Sequence, residues 1–189
     1  GAPVKVYIHG GAWRQRCVAA ILAAAWLHVA WAFHYERYAT INWAAPYFAV
    51  AFAIEAALLL WIGAAAARLA VGPPTDWTGR VGLALLVFAL FVQPCLGVLH
   101  GRAWTQAAMF GITPDPTVVA TLGVLLTTDE RARWALLVIP LAWCVVGGTF
   151  LWAMEEPGYV VVAVAGILSA IAAVAQTRRS PSTSAVRPA

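Results

Sequence analysis

Charged residues are scarce in this sequence: Asp, Glu, Lys and Arg make up 11% of its 189 residues, while hydrophobic residues make up 62%. Ordinary soluble domains contain roughly 25% charged residues, because a compact chain needs polar side chains to cover its surface. The apolar residues form long runs, several of which approach or exceed the ~18 residues that span a bilayer. This composition argues against a soluble domain and predicts an all-α fold, a polytopic transmembrane helical bundle.

Serine is almost missing, and its scarcity bears on the most suggestive motif. Residues 6–13, VYIHGGAW, look like the His-Gly-Gly oxyanion hole of hydrolases. That chemistry needs a nucleophilic serine in Gly-x-Ser-x-Gly, followed by a histidine. Ser169 is the only serine before the C-terminal tail, and no histidine follows His100. We therefore interpret the motif as the glycine-rich start of a membrane helix and expect no hydrolase activity.

Cysteine is also too scarce to organise the fold. Cys17, Cys95 and Cys144 are odd in number and form no Cys-x-x-Cys pair, so neither a disulfide framework nor a zinc site is indicated. We expect all three to pack as small apolar side chains.

The apolar runs divide into about six predicted spans, which make one domain over residues 17–176. We interpret residues 1–16 as an N-terminal segment with a truncated or processed end, and a Ser/Pro/Arg-rich tail, 177–189, is predicted to be disordered. The spans are 17–34, 45–67, 81–100, 107–127, 132–153 and 158–175. The fourth contains Pro114 and Pro116, so we expect a broken element with a short helix beginning near Asp115-Pro116, capped by Thr113 or Asp115.

The basic residues favour one orientation of these six spans. With both termini inside, ten cations lie on the inner side and only Arg37 and Arg102 outside, as expected for cytoplasmic loops. The ten are Lys5, Arg14, Arg16, Arg68, Arg80, Arg131, Arg133, Arg178, Arg179 and Arg187. This bias predicts a bacterial cytoplasmic membrane protein with a cytoplasmic C-terminus. The net charge of +4 is explained by these basic cytoplasmic loops. We therefore expect the lipid bilayer as a partner and no nucleic acid.

Polar residues inside the spans are informative because hydrocarbon makes them costly. Glu55 lies about ten residues into the second span, ~14 Å deep at 1.5 Å per residue and close to the midplane. His28 and Gln93 lie ~9–11 Å from the outer ends of their spans. These three, with His100 and Asp115, are our candidate substrate- or ion-binding residues. Structural interhelical hydrogen bonds remain the alternative role for Glu55, His28 and Gln93.

Several other residues carry weaker expectations. His34 and His100 end predicted helices at the outer boundary, and we expect both to be interfacial; His28 and His100 are weak metal-ligand candidates. Pro94 removes the hydrogen bond to the Leu90 carbonyl and predicts a kink. Small residues predict close helix packing, and these are Ala19, Ala20, Ala23, Ala24, Gly97 and Gly101.

Three long segments resemble a bacterial multi-pass membrane family known as domain of unknown function 6064. They begin at Trp26, Gly97 and Leu136 and read WLHVAWAFHYERYATINWAAPYF, GVLHGRAWTQAAMFGITPDPTVVATLGVLL and LLVIPLAWCVVGGTFLWAMEEPGYVVVAVAGIL. A cysteine commonly stands between the two prolines in the family, whereas this chain has Asp115. The family pattern also begins with a further apolar helix. The resemblance implies a helical membrane protein and no particular activity.

Two classes of function remain open. The first is a small-solute or ion transporter with a polar cavity open to the outer side, formed by His28, Glu55, Gln93, His100 and Asp115. The second is a protein that binds haem, quinone or a metal through His28, His34 or His100, with ten tryptophans as flat walls. A structural subunit of a membrane complex is a third possibility, and a homo-oligomer or a membrane partner subunit is compatible with each.

Overall fold

The computed structural model describes residues 11–66, 69, 76–99, 101, 103–128 and 133–179. Within these ranges the regular secondary structure is helical and contains no β-strand, so the predicted all-α fold is confirmed. The α-helices are α1 (Gly11–His28), α2 (Ala45–Leu58), α3 (Trp77–Val87), α4 (Gln93–Leu99), α5 (Pro114–Leu126), α6 (Arg133–Ala153) and α7 (Gly158–Arg179). Three π-helical segments continue them, π1 (Val29–Arg37), π2 (Leu59–Ala65) and π3 (Phe88–Val92).

Among the residues that the structure describes, five helical runs are long and apolar enough to cross a membrane. They are Ala12–Thr40, Ala45–Ala65, Trp77–Leu99, Arg133–Ala153 and Gly158–Arg178, and they correspond to every predicted span except the fourth. The third run begins before the predicted residue 81 because Asp76 caps it. Its carboxylate accepts hydrogen bonds from the Gly79 N–H at 2.9 Å and from the Thr78 hydroxyl at 2.6 Å. The first of these satisfies a backbone N–H that has no partner within the helix.

The fourth predicted span is the short helix α5, at the centre of the bundle. Its 13 residues, of which 12 are buried, extend only ~20 Å, less than the ~30 Å of the hydrocarbon core. α5 packs against α1, α3, α6 and α7. Pro114 and Pro116 occupy its first turn, where a missing N–H costs no helical hydrogen bond. The predicted short helix at this point is therefore confirmed, and it lies inside the bundle.

The C-terminal end of α5 is held by side chains from the last two helices. Gln176 Nε2 donates to the Leu126 carbonyl at 2.9 Å. The Arg133 guanidinium donates to the carbonyls of Thr128 at 2.7 Å and Ala173 at 3.3 Å. We expected Arg133 to be one of the cations of an inner loop, but it is 3% exposed. It is buried because it links the Thr128 carbonyl, two residues past the end of α5, to the Ala173 carbonyl of α7.

Glycines allow the helices to approach closely at three places. A Cβ at Gly82 would lie 2.6 Å from the Gly123 carbonyl oxygen, and one at Gly123 would lie 2.6 Å from the Gly82 oxygen, so α3 and α5 touch through their backbones. Gly63 similarly faces Ala19, and Gly166 faces Cys144.

The predicted small-residue packing faces are confirmed only in part. Ala19 and Ala23 are buried, whereas Ala20 and Ala24 are exposed. Gly101 is exposed, has a φ of +81°, and a Cβ added to it would meet nothing within 4 Å. It therefore serves the turn after α4, where a left-handed backbone favours glycine, and the expectation that it packs against a helix was wrong.

Three apolar runs change from α- to π-helical geometry. In the third run, the Gln93 N–H donates to the carbonyl of Phe88, five residues earlier. The next residue, Pro94, has no backbone N–H to donate. π-Helical turns are rare and frequently occur at functional sites. π1 contains His34, and π2 begins four residues after Glu55.

We name the two ends of the bundle by their exposed tryptophans. The Trp43 end contains residues 38–44, between π1 and α2, and the Trp77 end contains the start of α3. The turn between α6 and α7 lies at the Trp43 end, because Phe150 near the end of α6 packs on Phe48 near the start of α2, with ring centroids 6.0 Å apart.

Candidate functional site

Glu55 is a buried carboxylate in the interior of α2. It is 0% exposed, as expected for a residue that avoids lipid. Neither carboxylate oxygen has a hydrogen-bond partner among the residues that the structure describes. Buried polar groups in proteins are nearly always hydrogen-bonded, so an unpaired one calls for a functional or strain-related explanation.

His34 is the second buried titratable group, on π1. It is 0% exposed, and neither ring nitrogen has a partner within the described ranges. We expected it to be interfacial, and this was wrong. The first helical run continues without a break from Ala12 to Thr40, so His34 does not end its helix at the membrane boundary but lies one to two turns inside it.

An aromatic cluster surrounds His34, and we define it as Trp26, His34, Phe48, Phe52 and Trp143. The His34 ring centroid lies 4.6 Å from that of Phe52, 5.0 Å from that of Trp143 and 5.9 Å from that of Phe48, each edge to face. Phe52 also packs on Trp26 at 4.3 Å and on Trp143 at 5.1 Å. The aromatic cluster therefore joins α1, π1, α2 and α6 around one histidine.

Glu55 lies one helical turn from this aromatic cluster. It follows Phe52 by three residues on α2, a spacing that places two Cβ atoms on one face ~5–6 Å apart. The α-helix becomes π-helical only four residues later, where the Leu59 N–H points to the carbonyls of both Glu55 and Ala56. The buried carboxylate thus lies between the aromatic cluster and the irregular backbone of π2.

Two indole N–H groups connect the aromatic cluster to α5. Trp143 Nε1 donates to Asp115 Oδ1 at 2.9 Å, and Trp26 Nε1 donates to the Thr121 hydroxyl at 2.8 Å. We expected Thr113 or Asp115 to cap α5. Thr113 occupies the N-cap position but makes no side-chain cap hydrogen bond. Asp115 lies in the first turn, where a carboxylate complements the positive end of the helix dipole.

A ladder of threonines continues from this contact along α5. The Thr121 hydroxyl donates to the Thr117 carbonyl at 2.8 Å, and the Thr117 hydroxyl donates to the Thr113 carbonyl at 2.8 Å. The Gly111 N–H in turn donates to the Thr117 hydroxyl oxygen at 2.8 Å. These hydroxyls are therefore satisfied within the helix and its incoming loop, in contrast to Glu55 and His34.

The remaining candidate residues are placed differently. Gln93 is 8% exposed, and its Oε1 has no partner in the described part of the chain; it begins α4 directly after π3, which packs against α5. His28 is exposed at the end of α1, so it does not share the interior with Glu55. His100 lies outside the described residues. No group of three or more His, Cys, Asp or Glu side chains suited to a metal ion occurs within the described ranges.

The aromatic cluster around His34 was not predicted from the sequence. The signal was present as spacing: Phe48, Phe52 and Glu55 follow one another at intervals of four and three residues, which places them on one helical face. Trp26 and His34 are eight residues apart and share a face of the first run by the same rule. The pairing of these two faces with Trp143 is tertiary and could not be derived from spacing.

The sequence model of DUF6064, a family of unknown function, matches residues 4–184 of the chain. The chain therefore belongs to this family. No curated protein and no solved structure matches it.

Proposed function

We propose, on the premise of this family membership, that the protein is a small membrane transporter in which Glu55 takes up and releases a proton. The proposal is carried by one observation, a fully buried carboxylate with no hydrogen-bond partner in the described residues, inside an apolar helix. Ionisable residues within membrane spans are costly, and they commonly mark proton or ion pathways.

The surroundings of Glu55 support a proton pathway between the two ends of the bundle. Toward the Trp43 end lies the aromatic cluster with His34, and Asp115 adjoins this cluster through the Trp143 indole N–H. His34 and Asp115 are both able to exchange protons. Toward the Trp77 end lies π2, whose backbone hydrogen bonds differ from those of a regular helix. Transport in this scheme requires the bundle to open, because Glu55 and His34 are both 0% exposed in the conformation described.

The proposed site is a revision of the one expected from sequence. Glu55 and Asp115 are retained, His34 takes the place assigned to His28, and Gln93 remains a candidate beside α5. In the cell we place the protein in a bacterial cytoplasmic membrane, with the C-terminus in the cytoplasm and the Trp43 end outside, because this orientation follows the distribution of basic loops.

Proton flux into liposomes tests the proposal. The purified protein is reconstituted into vesicles loaded with pyranine, and acidification is followed at a membrane potential fixed by potassium and valinomycin. We expect acidification well above that of protein-free vesicles, and we expect Glu55→Gln, which keeps size and polarity, to abolish the excess. Flux that is equal in wild type and Glu55→Gln, or absent from both, contradicts the proposal.

A cofactor-binding function is the second candidate, and His34 is the observation that favours it. Its two ring nitrogens lack partners within the described ranges, and flat aromatic side chains surround it. A haem iron ligated by histidine gives a strong visible spectrum. We expect the purified protein to be colourless and His34→Leu to leave its spectrum unchanged; a visible band lost in His34→Leu would favour the cofactor instead.

A further inference from the structure

A groove runs between the packed helices α6 and α7 on the outside of the bundle. Its volume is about 570 Å³, within the ~300–1,000 Å³ of typical ligand pockets. The groove begins at Trp152 and Tyr159, near the turn between the two helices, and reaches Leu141 and Ala170. Its lining is almost entirely apolar. None of its lining residues belongs to the aromatic cluster, although α6 carries both Trp143 and one wall of the groove.

The length of the groove along α6 matches the thickness of one leaflet of a bilayer. Leu141 and Trp152 are eleven residues apart on α6, which corresponds to about 16 Å of helix. Half of the hydrocarbon core of a bilayer measures ~15 Å. Trp152, 65% exposed, and Tyr159, 37% exposed, lie at the end of the span, where amphipathic aromatic rings favour the headgroup boundary. The groove therefore runs from the interface at the Trp43 end to about the middle of the membrane.

The inner wall of the groove has room for a chain of methylene groups. Gly148 is buried, yet a Cβ added there meets nothing within 4 Å, so the space beside it is empty of protein. Gly166 lies opposite, so close to Cys144 that a Cβ would come within 2.8 Å of the Cys144 Cβ. This close contact forms the floor of the groove, and the missing side chain at Gly148 leaves it open above.

We propose that this groove binds one acyl chain of a phospholipid from the leaflet at the Trp43 end. The ligand class follows from the apolar lining, the length of one leaflet and the interfacial aromatic residues at the mouth. The two carboxylates of the adjoining turn, Glu155 and Glu156, give no attraction to an anionic headgroup, so the contact is made by the chain. The inference is independent of proton transport, since Glu55 lies on the other side of α6.

Photolabelling by a lipid tests this site directly. The protein is reconstituted in dioleoylphosphatidylcholine vesicles with a phosphatidylcholine that carries a diazirine on one acyl chain, and labelled residues are mapped by mass spectrometry. We expect labels to concentrate on Val145, Thr149 and Ile167 of the groove. Gly148→Leu fills the space, and we expect it to lower this labelling roughly tenfold, which corresponds to ~1.4 kcal/mol of binding free energy.

Two further variants keep the test decisive. Ala142→Leu adds the same side chain on an exposed face of α6 outside the groove and is expected to leave the labelling unchanged. Ala163→Leu fills the groove from α7 and replaces Gly148→Leu if that variant fails to fold. Equal labelling of the groove and of other exposed residues, such as Ile54 and Trp61, overturns the proposal. So does a dimer that Gly148→Leu converts to a monomer, because the occupant is then a second copy of the chain.

Discussion

The buried polar side chains of the central helix α5 differ from those of α2 and π1 in whether they have hydrogen-bond partners. Hydrogen bonds from other helices hold both ends of α5. Asp115 accepts the Trp143 indole N–H, the Leu126 carbonyl accepts from Gln176, and the Thr128 carbonyl just past the helix accepts from Arg133. On α2 and π1, Glu55 and His34 are equally buried, and their side-chain polar atoms have no hydrogen-bond partner in the described residues.

Under the proposed function, this difference separates groups that hold the fold together from groups that exchange protons. A buried polar atom costs about 1–3 kcal/mol when it is left unpaired. Buried Gln93 Oε1, Ser169 Oγ and Gln176 Oε1 also lack hydrogen-bond partners within the described residues. Glu55 is the carboxylate among these groups, and burying a group that can carry a charge costs more than burying a neutral amide or hydroxyl. We infer that α2 retains a destabilising carboxylate because its protonation serves function.

Removing the guanidinium of Arg133 should have the largest effect on stability. Arg133→Met keeps the apolar part of the side chain but leaves the Thr128 and Ala173 carbonyls without their donor. We expect a loss of about 3 kcal/mol in the free energy of unfolding, measured by thermal or denaturant unfolding in detergent. Arg133→Lys keeps the charge and should lose less. An unchanged stability of Arg133→Met would show that the link between Thr128 and α7 does not contribute to the fold.

The backbone contact between α3 and α5 should be nearly as sensitive. Gly123→Ala places a methyl group 2.6 Å from the Gly82 carbonyl oxygen, which forces the two helices apart. Overpacking of this kind costs about 2 kcal/mol. The matched control is Gly148→Ala, where a Cβ meets nothing within 4 Å and stability should not fall. Equal stabilities of the two variants would contradict the close approach.

Replacing Glu55 should shift stability in the opposite direction. Glu55→Leu has a similar volume and removes the unpaired carboxylate, so we expect a gain of about 1 kcal/mol in the free energy of unfolding. The same variant should lose proton flux. A large loss of stability would mean that Glu55 makes a structural contact, and the contrast between α2 and α5 would then fail.

The smallest expected effect concerns the link between the aromatic cluster and α5. Trp143→Phe preserves an aromatic ring beside His34 but removes the N–H that Asp115 accepts. We expect a loss of about 1 kcal/mol. Asp115→Asn keeps an acceptor for the indole and should be closer to wild type. The double variant indicates whether the two residues act together, because their effects should not add if the hydrogen bond is the common cause.

The sequence predicts the long elements of this fold better than its interior. Apolar runs, bounded by proline, glycine and charged residues, locate five spans and the start of α5. These features determine helix position through neighbouring residues in the sequence and do not depend on the tertiary fold. The burial of Arg133 and His34 was not predicted, because it depends on where α5 ends and on π1 continuing the first helix. Glu55 was found from sequence since its cost in hydrocarbon is independent of its partners. The aromatic cluster beside it depends on how α2 packs against α6.

The protonation of Glu55 in the membrane tests the central claim most directly. Infrared difference spectra are recorded between acidic and alkaline buffer on the reconstituted protein, with Glu55→Gln as the matched control. We predict a carboxylic acid C=O band in the wild-type spectrum that is missing from Glu55→Gln, because a functional carboxylate exchanges protons with water. Identical spectra of the two proteins would show that Glu55 is sealed from both aqueous phases and would contradict the account.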